Sequence, residues 1–418
     1  MENKDAVNSD DQKPGFSRRF QNVIRLGYVS LFTDISTEMV LGVLPYFIVL
    51  DLHATAAVLG LIEGVAESVN DMFRVFSGVL TDRFGKRKPF VLIGYGLSTI
   101  AKPIFALTNS WTQVFAVRVV DRAGKGTRTS PRDALISDSI SKSESGKGFG
   151  LHRSFDQIGA VVGPLLAFAV FPFIGFRGVF WVSFVPALIA LLILVLYVAD
   201  SKALPRHSSP FENARAVLTR DFSLLLVVLG IFSVGAYNYS FVLLKASLLG
   251  INQDDIAVVY ATLNVATVIF GLPAGILADK IGKLPILCVS YVAFLATSFA
   301  GLWLVGYWAY AFFIAFLFGS YLAISETVQR AMIPDFTKAE LKGTGYAIYY
   351  MLIGVGSLLA NSIFGTLWTN INPASAFEYS IVTSTLGVVA LSIFTISRRK
   401  SRAQAAIASS ASGPTSTN

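Results

Sequence analysis

Five carboxylates stand inside apolar stretches of the sequence, where acidic side chains are rare. Asp34 and Glu38 are four residues apart. Glu63, Glu67 and Asp71 repeat the same spacing. Residues four apart share one face of a helix, and an unpaired charge that faced lipid would cost at least about 2.5 kcal/mol. These carboxylates must therefore face protein or water, and we predict that all five take part in proton coupling.

The two sets of carboxylates differ in how open their role is. At 1.5 Å per residue, Asp34 lies about 15 Å and Glu38 about 21 Å along the first apolar stretch, near mid-membrane. The second set has cations nearby, so with Arg74 and Lys102 it could equally be a structural ion network that never titrates.

The elements that position these residues are membrane-spanning helices. Hydrophobic residues make up 54% of the 418 residues and charged residues only 14%, against roughly 25% charged in soluble domains. Apolar stretches of about 20 residues recur, each long enough to cross a bilayer as a helix. The sequence predicts an all-α membrane protein with twelve transmembrane helices. These are expected at 24–50, 55–80, 89–108, 111–133, 147–172, 177–199, 221–249, 254–280, 285–305, 307–333, 342–369 and 375–397.

Alternate loops between the predicted helices differ in charge. Basic residues such as Arg83, Lys147 and Lys283 fall on one side, and acidic residues such as Asp254 fall on the other. Because cytoplasmic loops are enriched in Lys and Arg, we predict a multi-pass protein of the cytoplasmic (inner) membrane with both termini cytoplasmic. The predicted divisions are a cytoplasmic tail, a six-helix bundle, a cytoplasmic linker, a second six-helix bundle and a disordered tail, at 1–23, 24–199, 200–220, 221–397 and 398–418.

One loop sequence occurs twice. Segment 78–88 reads GVLTDRFGKRK and segment 275–283 reads GILADKIGK, so Asp82 corresponds to Asp279. Each copy follows one apolar stretch and leads into another. The chain is therefore predicted to contain two six-helix repeats, an arrangement that places a substrate site between the halves near mid-membrane.

Segment 78–88 also resembles the loop signature of the major facilitator superfamily, and the resemblance extends over nearly the whole chain. Gly78, Asp82, Arg83 and Gly85 occupy signature positions. The resemblance implies that Asp82 caps or pairs across the two halves and holds an outward-open state. We predict that a cytoplasmic gate is completed by Arg128, Asp279, Glu326 and Arg330.

A second motif in the predicted fourth helix involves a buried cation. Arg118 fits the family's motif there, whereas Asp121 and Arg122 depart from it. In the resembling fold the first and fourth helices line the central cavity. Arg118 is therefore a candidate partner for Asp34 or Glu38. Because the resemblance places the first helix on the cavity, we expect Asp34 and Glu38 to carry the coupling proton.

A third motif lies in the predicted fifth helix. Gly159, Gly163 and Pro164 resemble the family's antiporter motif, which points to exporters that exchange substrate for protons. Small residues four apart could equally serve ordinary close packing of membrane helices.

Substrate-binding candidates come from both halves of the sequence. The second half has few charges inside its apolar stretches, and its aromatic, weakly polar residues would suit an amphipathic organic substrate. The predicted ligands are Arg118, Arg122, Tyr237, Asn238, Lys245 and Tyr349.

Other functional classes lack their signatures in the sequence. The three histidines are scattered, which argues against a metal site, and we expect neither a cofactor nor a catalytic constellation. Without an ATP-binding motif, transport would draw on an ion gradient or run downhill. The net charge of +8 is accounted for by basic loops, so no nucleic-acid partner is expected.

These observations predict a secondary transporter that exports small organic molecules in exchange for protons, with the lipid bilayer as its environment. The resemblance favours a monomer. One alternative is a carrier of a small anion, such as an organic acid or a metal chelate, with Arg118, Arg122 and Lys245 as ligands. Another is a non-transporting membrane sensor or lipid scramblase with the same fold. The charge of the substrate would separate the two transport hypotheses.

Overall fold

The computed structural model describes residues 16–141, 145–200, 214–338 and 341–411, with side chains at 20–141, 146–200, 215–338 and 341–399. The regular structure in these ranges is helical, and we number the membrane spans in chain order. Span 1 is Phe16–Leu41, continued by the short helical segments Leu44–Tyr46 and Phe47–Asp51. Spans 2, 3 and 4 are Ala56–Phe84, Lys88–Leu107 and Trp111–Ser139. Spans 5 and 6 share the stretch Ser145–Tyr197, which is divided at Gly175 by a φ of 61°.

The second half repeats this arrangement after a short helix, Ala214–Val217. Span 7 is broken into Arg220–Ser233 and Tyr239–Leu248. Asn238 caps the second piece, because its side chain accepts a hydrogen bond from the Ser240 amide at 2.9 Å. The remaining five spans, 8 to 12, are Ile256–Ile281, Lys283–Trp303, Tyr310–Phe336, Lys342–Asn370 and Pro373–Ala411.

Eight described helices are both long enough and apolar enough to cross a membrane. One of them, Gly146–Tyr197, contains two spans. Spans 2 and 4 are 29 residues each, but their charged residues lower their hydropathy, and span 7 is interrupted. The sum is twelve spans, which confirms the predicted all-α architecture.

The ends of spans 2, 4 and 6 and the beginning of span 1 meet at one end of the bundle. Arg87, after span 2, bonds Asp138 at the end of span 4 at 2.7 Å, and its amide donates to Asp200 after span 6 at 3.2 Å. Arg25 in span 1 donates to the Tyr197 carbonyl at 2.7 Å. We call this end the basic end and the other the opposite end.

Several contacts between the two halves lie toward the opposite end. The Ala57 amide donates to Thr369 Oγ1 at 2.9 Å, which joins spans 2 and 11. A Cβ added to Gly60 would overlap the Asn361 carbonyl oxygen, so only glycine lets these spans approach as closely. Tyr46 donates to the Ile251 carbonyl at 3.4 Å. Span 2 therefore packs against span 11 across the interface.

Some predicted boundaries differ from the structure. Span 1 begins at Phe16 instead of residue 24, and span 12 continues to Ala411, where a disordered tail is predicted from 398. The segment 402–408 is rich in Ala, Arg and Gln, which are strong helix formers. Residues 1–15 of the predicted tail, 201–213 of the linker and 412–418 lie outside the described residues.

Candidate functional site

Span 5 packs tightly against the two carboxylates of span 1. A Cβ added to Gly159 would lie 2.9 Å from Asp34 Cβ, and one added to Gly163 would lie 2.8 Å from Glu38 Cβ. Both distances are well below a carbon–carbon contact of about 3.5 Å. The glycine pair and the carboxylate pair share a four-residue spacing. Spans 1 and 5 therefore run parallel, and each glycine packs against one of the two acidic residues.

Glu38 connects the first half of the chain to the second. Its Oε2 accepts a hydrogen bond from the Tyr260 hydroxyl at 2.6 Å and one from Asn264 Nδ2 at 3.3 Å. Asn264 Nδ2 also donates to the Ala160 carbonyl of span 5 at 2.7 Å. Tyr260 and Asn264 are buried in span 8. A half-buried carboxylate of span 1 is thus held by donors from the opposite half.

Asp34 sits one helical turn nearer the basic end. Its side chain is half-buried and lies in the electrostatic range of Asp156, Lys125 and Arg128. Among the described residues no ion pair within 4 Å is recorded for it. Asp34 is therefore an ionisable group without an ion-pair partner, whereas its neighbour Glu38 accepts two hydrogen bonds.

Arg118 belongs to a buried network formed by spans 2, 3 and 4. Its Nη2 lies 2.8 Å from Glu63 Oε2, and both side chains are fully buried. Its Nη1 lies 3.5 Å from Asp121, which also pairs with Lys102 at 3.1 Å. The predicted pairing of Arg118 with Asp34 or Glu38 is wrong. Gly126 lets span 4 lie close against span 2, and Arg118 of span 4 meets Glu63 of span 2.

Arg122 continues this network by one further turn. It lies 3.4 Å from Glu67. The second carboxylate set therefore faces span 4, and both predicted arginine ligands are occupied by carboxylates of the chain itself. The structural ion network considered above is what this conformation shows for Glu63 and Glu67.

Several buried polar atoms beside this network have no hydrogen-bond partner among the described residues. They are Glu63 Oε1, Arg118 Nε, Arg122 Nε and the Tyr239 hydroxyl. Tyr239 lies in the electrostatic range of Glu63 and Arg118, and its ring is 4.9 Å from that of Tyr260. The network thus reaches the second half, next to the partner of Glu38.

Lys125 was not among the residues predicted from the sequence. It lies in the electrostatic range of Glu67, Glu38 and Asp34, and no carboxylate of the described chain is recorded within 4 Å of its Nζ. It follows Arg118 by seven residues, so it shares that helix face, which is the signal that could have identified it. Tyr260 and Asn264 were also missed, because sequence spacing says nothing about partners in another repeat.

The remaining predicted substrate ligands have different surroundings. Tyr237 is buried in an aromatic cluster, with its ring 4.4 Å from Phe364, and Asn238 serves as a helix cap. Lys245 is buried in the second piece of span 7. Tyr349 donates to Gln329 at 2.8 Å in the second half. Among the described residues, no hydrogen bond or ion pair joins these side chains to Arg118 or Arg122, and their part in substrate binding stays a prediction.

The predicted gate residues of the first half are also separated. Asp82 pairs with Arg87 of the same loop at 3.3 Å, and Arg83 is exposed. Arg128 donates to Ser98 at 2.7 Å and lies over the Tyr95 ring. Arg128 thus points toward span 3 in this conformation, and the gate of Asp82, Arg83 and Arg128 stays a prediction.

The turn itself has the form that the motif predicts. Gly85 adopts a φ of 64° and ends span 2, with its amide bonded to the Thr81 carbonyl. Gly78 brings spans 2 and 4 together, since a Cβ there would lie 3.4 Å from Ser130 Cβ.

A second set of polar contacts lies between the halves toward the basic end. Arg330 pairs with Glu326 at 3.1 Å within span 10. Arg74 of span 2 lies 4.4 Å from the centre of the Tyr350 ring of span 11, and Asp71 is in the electrostatic range of Arg74 and Arg330. The contact between Arg74 and Tyr350 joins the two halves.

Asp279 lies apart from these groups. It is exposed and lines a surface cavity of 320 Å³ with Lys283 and Asp335 at the basic end of the second half. Among the described residues no cluster of three or more His, Cys, Asp or Glu side chains could hold a metal ion.

The chain matches the sequence model of the Major Facilitator Superfamily over residues 26–245 and 223–416. An uncharacterised MFS-type transporter of Methanocaldococcus jannaschii is 31% identical over 372 residues, which cover 87% of this chain and 92% of the relative. A probable 4-methylmuconolactone transporter of Cupriavidus pinatubonensis is 27% identical over 349 residues, covering 77% and 78%. A solved structure of a nucleoside transporter shares the fold, with a TM-score of 0.74 and 12% identity over 90% of this chain and 99% of that chain. The two matched segments agree with the predicted pair of repeats.

Proposed function

Because the chain belongs to the Major Facilitator Superfamily and is a multi-pass membrane transporter, we propose that it exports a small organic molecule in exchange for protons. Transport proceeds by alternating access, in which the two six-helix halves rock about a central site. The protein acts as a monomer in the cytoplasmic membrane. Charge in the loops supports a cytoplasmic location for the basic end and hence for both termini.

The observation that carries this proposal is the bonding of Glu38 to the opposite half. Tyr260 and Asn264 donate to it only while spans 1 and 8 are together. When the halves part, the carboxylate exchanges these donors for water or a proton. The protonation of Glu38 and the arrangement of the halves are therefore linked, and such linkage is reciprocal.

The Arg118 network supports the same mechanism in a different way. Its ion pairs connect spans 2, 3 and 4 inside one half, so that half moves as a rigid body. Charged groups that neutralise one another inside the half avoid the cost of facing lipid. The coupling proton is then carried by Asp34 and Glu38, which lie at the edge of that half.

This conformation corresponds to a transporter that is closed to the outside. The contacts of Ala57 with Thr369 and of Tyr46 with Ile251 hold the opposite end together. With the basic end in the cytoplasm, the closed end faces outward. Export then requires these contacts to open after a substrate is loaded.

Lys125 favours a second candidate, a carrier of organic acids. A half-buried cation without an ion pair is already partly desolvated, so pairing with a substrate carboxylate offsets a cost that the protein has already incurred. The relative named as a probable 4-methylmuconolactone transporter is consistent with such a substrate. In that case the negative charge of the substrate compensates Lys125.

Both candidates are tested by purified protein in liposomes that hold a pH gradient. Cationic drugs, neutral antibiotics and organic acids are added in turn, and proton movement is followed with a trapped dye. Substrate-triggered proton flux that Asp34→Asn and Glu38→Gln both lose supports the proposed exchanger. Flux that survives in both variants contradicts it. Binding or transport of organic acids alone, abolished by Lys125→Met, supports the second candidate.

A further inference from the structure

Two ionisable residues of span 5, His152 and Asp156, have no part in the mechanism described so far. The sequence places them near the basic end, where a solvated pair is expected. Instead, His152 is 4% exposed and Asp156 is 9% exposed. His152 Nδ1 lies 3.6 Å from Asp156 Oδ2. Burying ionisable side chains within a membrane protein is costly, and such residues are usually paired with one another or functional.

Both side chains also keep an unpartnered buried atom. Within the part of the chain that the structure describes, His152 Nε2 and Asp156 Oδ1 have no hydrogen-bond partner, and neither has the neighbouring Tyr95 hydroxyl. Buried polar atoms are normally bonded, and each exception calls for an explanation such as a role in proton transfer.

The positions of these residues form a series with the carboxylates of span 1. Spans 1 and 5 run parallel, since Gly27 packs on Phe155, Gly159 on Asp34 and Gly163 on Glu38. One step of four residues rises about 6 Å. From the basic end the order is therefore His152, Asp156, Asp34 and Glu38, and Asp156 lies in the electrostatic range of Asp34.

We propose that Asp156 and His152 form a proton relay between Asp34 and the water at the basic end. The proposal rests on the proton coupling of the proposed function. A proton leaves the Asp34 carboxyl, which becomes a carboxylate, and is accepted by the Asp156 carboxylate. Asp156 passes it to His152 Nδ1, and His152 Nε2 releases a proton toward the basic end. No electron is transferred. Asp156 and His152 regain their starting charges, His152 ends with its proton on Nδ1 instead of Nε2, and Asp34 stays a carboxylate until it takes up the next proton.

The charged and titratable groups around the relay come from spans 3 and 4 and from span 5 itself. Arg132 and Asp133 of span 4 face His152, and Arg128 and Lys125 of the same span face Asp34. Tyr95 of span 3 lies near Asp34 and Asp156. On span 5, Arg153 is 3.9 Å from Asp156.

These surroundings suit a proton path better than a fixed ion pair. Span 8 contributes the neutral Asn264 and Gly271 on this side. The 3.6 Å gap between His152 and Asp156 exceeds a hydrogen bond of about 2.9 Å, so a small side-chain rotation opens and closes the step.

Liposomes that contain the full chain test the relay by separating two activities. Substrate exchange at equal pH needs no net proton release, whereas pH-driven substrate accumulation does. We expect His152→Gln and Asp156→Asn to lower accumulation at least tenfold while exchange stays within twofold of the wild type. Imidazole, a mobile proton carrier, is expected to restore accumulation partly in His152→Ala. The exposed groups at the opposite end, His53→Gln and Asp254→Asn, serve as matched controls.

Each outcome decides the proposal. Unchanged accumulation in both variants overturns the relay while leaving the proposed function intact. An equal fall of exchange and accumulation, without imidazole rescue, assigns the pair a structural role and also overturns the relay. Absence of proton movement in the wild type overturns the proposed function together with the relay. Selective loss of accumulation with rescue supports it.

Discussion

Gly163 of span 5 lies directly against Glu38 of span 1, so that a Cβ on the glycine would come within 2.8 Å of Glu38 Cβ. Gly159 has the same relationship to Asp34 one turn away. The glycine motif therefore does more than bring two helices together. It fixes the depth and orientation of the two carboxylates to which we assign the coupling proton.

Replacing either glycine should disturb these carboxylates. Gly163→Ala would force spans 1 and 5 apart, at a cost of about 1–3 kcal/mol for an overpacked contact, and should reduce proton-coupled transport strongly. Thermal stability in detergent and transport in liposomes measure the two effects. Gly96→Ala is the matched control, because a Cβ there meets nothing within 4 Å. Equal behaviour of the two variants would show that Gly163 is not needed to position Glu38.

The Arg118–Glu63 pair should obey the energetics of a buried ion pair. Arg118→Met or Glu63→Gln alone leaves an uncompensated charge and should cost about 3 kcal/mol or more. The double substitution removes both charges and should recover most of that stability. Thermal unfolding of the two single variants and the double variant measures the coupling. A double variant as unstable as the sum of the singles would show that the pair does not interact as described.

The turn after span 2 should be sensitive to side-chain type. Gly85 has a φ of 64°, and an L-residue in this region costs roughly 1–2 kcal/mol. Gly85→Ala should therefore lower the melting temperature, and Gly85→Asn should lower it less because Asn tolerates this conformation. Gly150→Ala is a control with open space around the added Cβ. An unchanged melting temperature in Gly85→Ala would contradict the assigned backbone conformation.

The opposite end should have to open during transport. In a Cys288→Ser background, Ala57→Cys with Thr369→Cys places two thiols where spans 2 and 11 meet. Oxidation should link the spans and stop transport, and a reducing agent should restore it. Each single cysteine variant controls for the substitution. Full transport by the oxidised double variant would show that this end stays closed throughout the cycle.

The sequence predicts the fold well because long apolar helices and repeated loops are local features. Spans 2 and 4 were identified despite their charges, since length and position in the repeat supplied the missing signal. The site was harder to predict. The four-residue spacing predicts that Asp34 and Glu38 share one helix face and that Gly159 and Gly163 share another, but the register that matches the two pairs depends on how the two helices pack.

Partners across helices were the main source of error. Arg118 was expected to pair with span 1, whereas the rotation of span 4 turns it toward Glu63 in span 2. Tyr260 approaches Glu38 from a different repeat, 222 residues away. Helix periodicity defines which residues share a face, but it does not say which neighbouring helix that face meets.

The most direct test of the account is the dependence of substrate accumulation on the pH gradient in liposomes. With one proton exchanged per molecule, accumulation should change about tenfold per pH unit, because one pH unit corresponds to about 1.4 kcal/mol. Glu38→Gln should bind and exchange the substrate but lose this dependence. A wild-type slope retained in Glu38→Gln would contradict the assignment of the coupling proton to the carboxylate that joins the two halves.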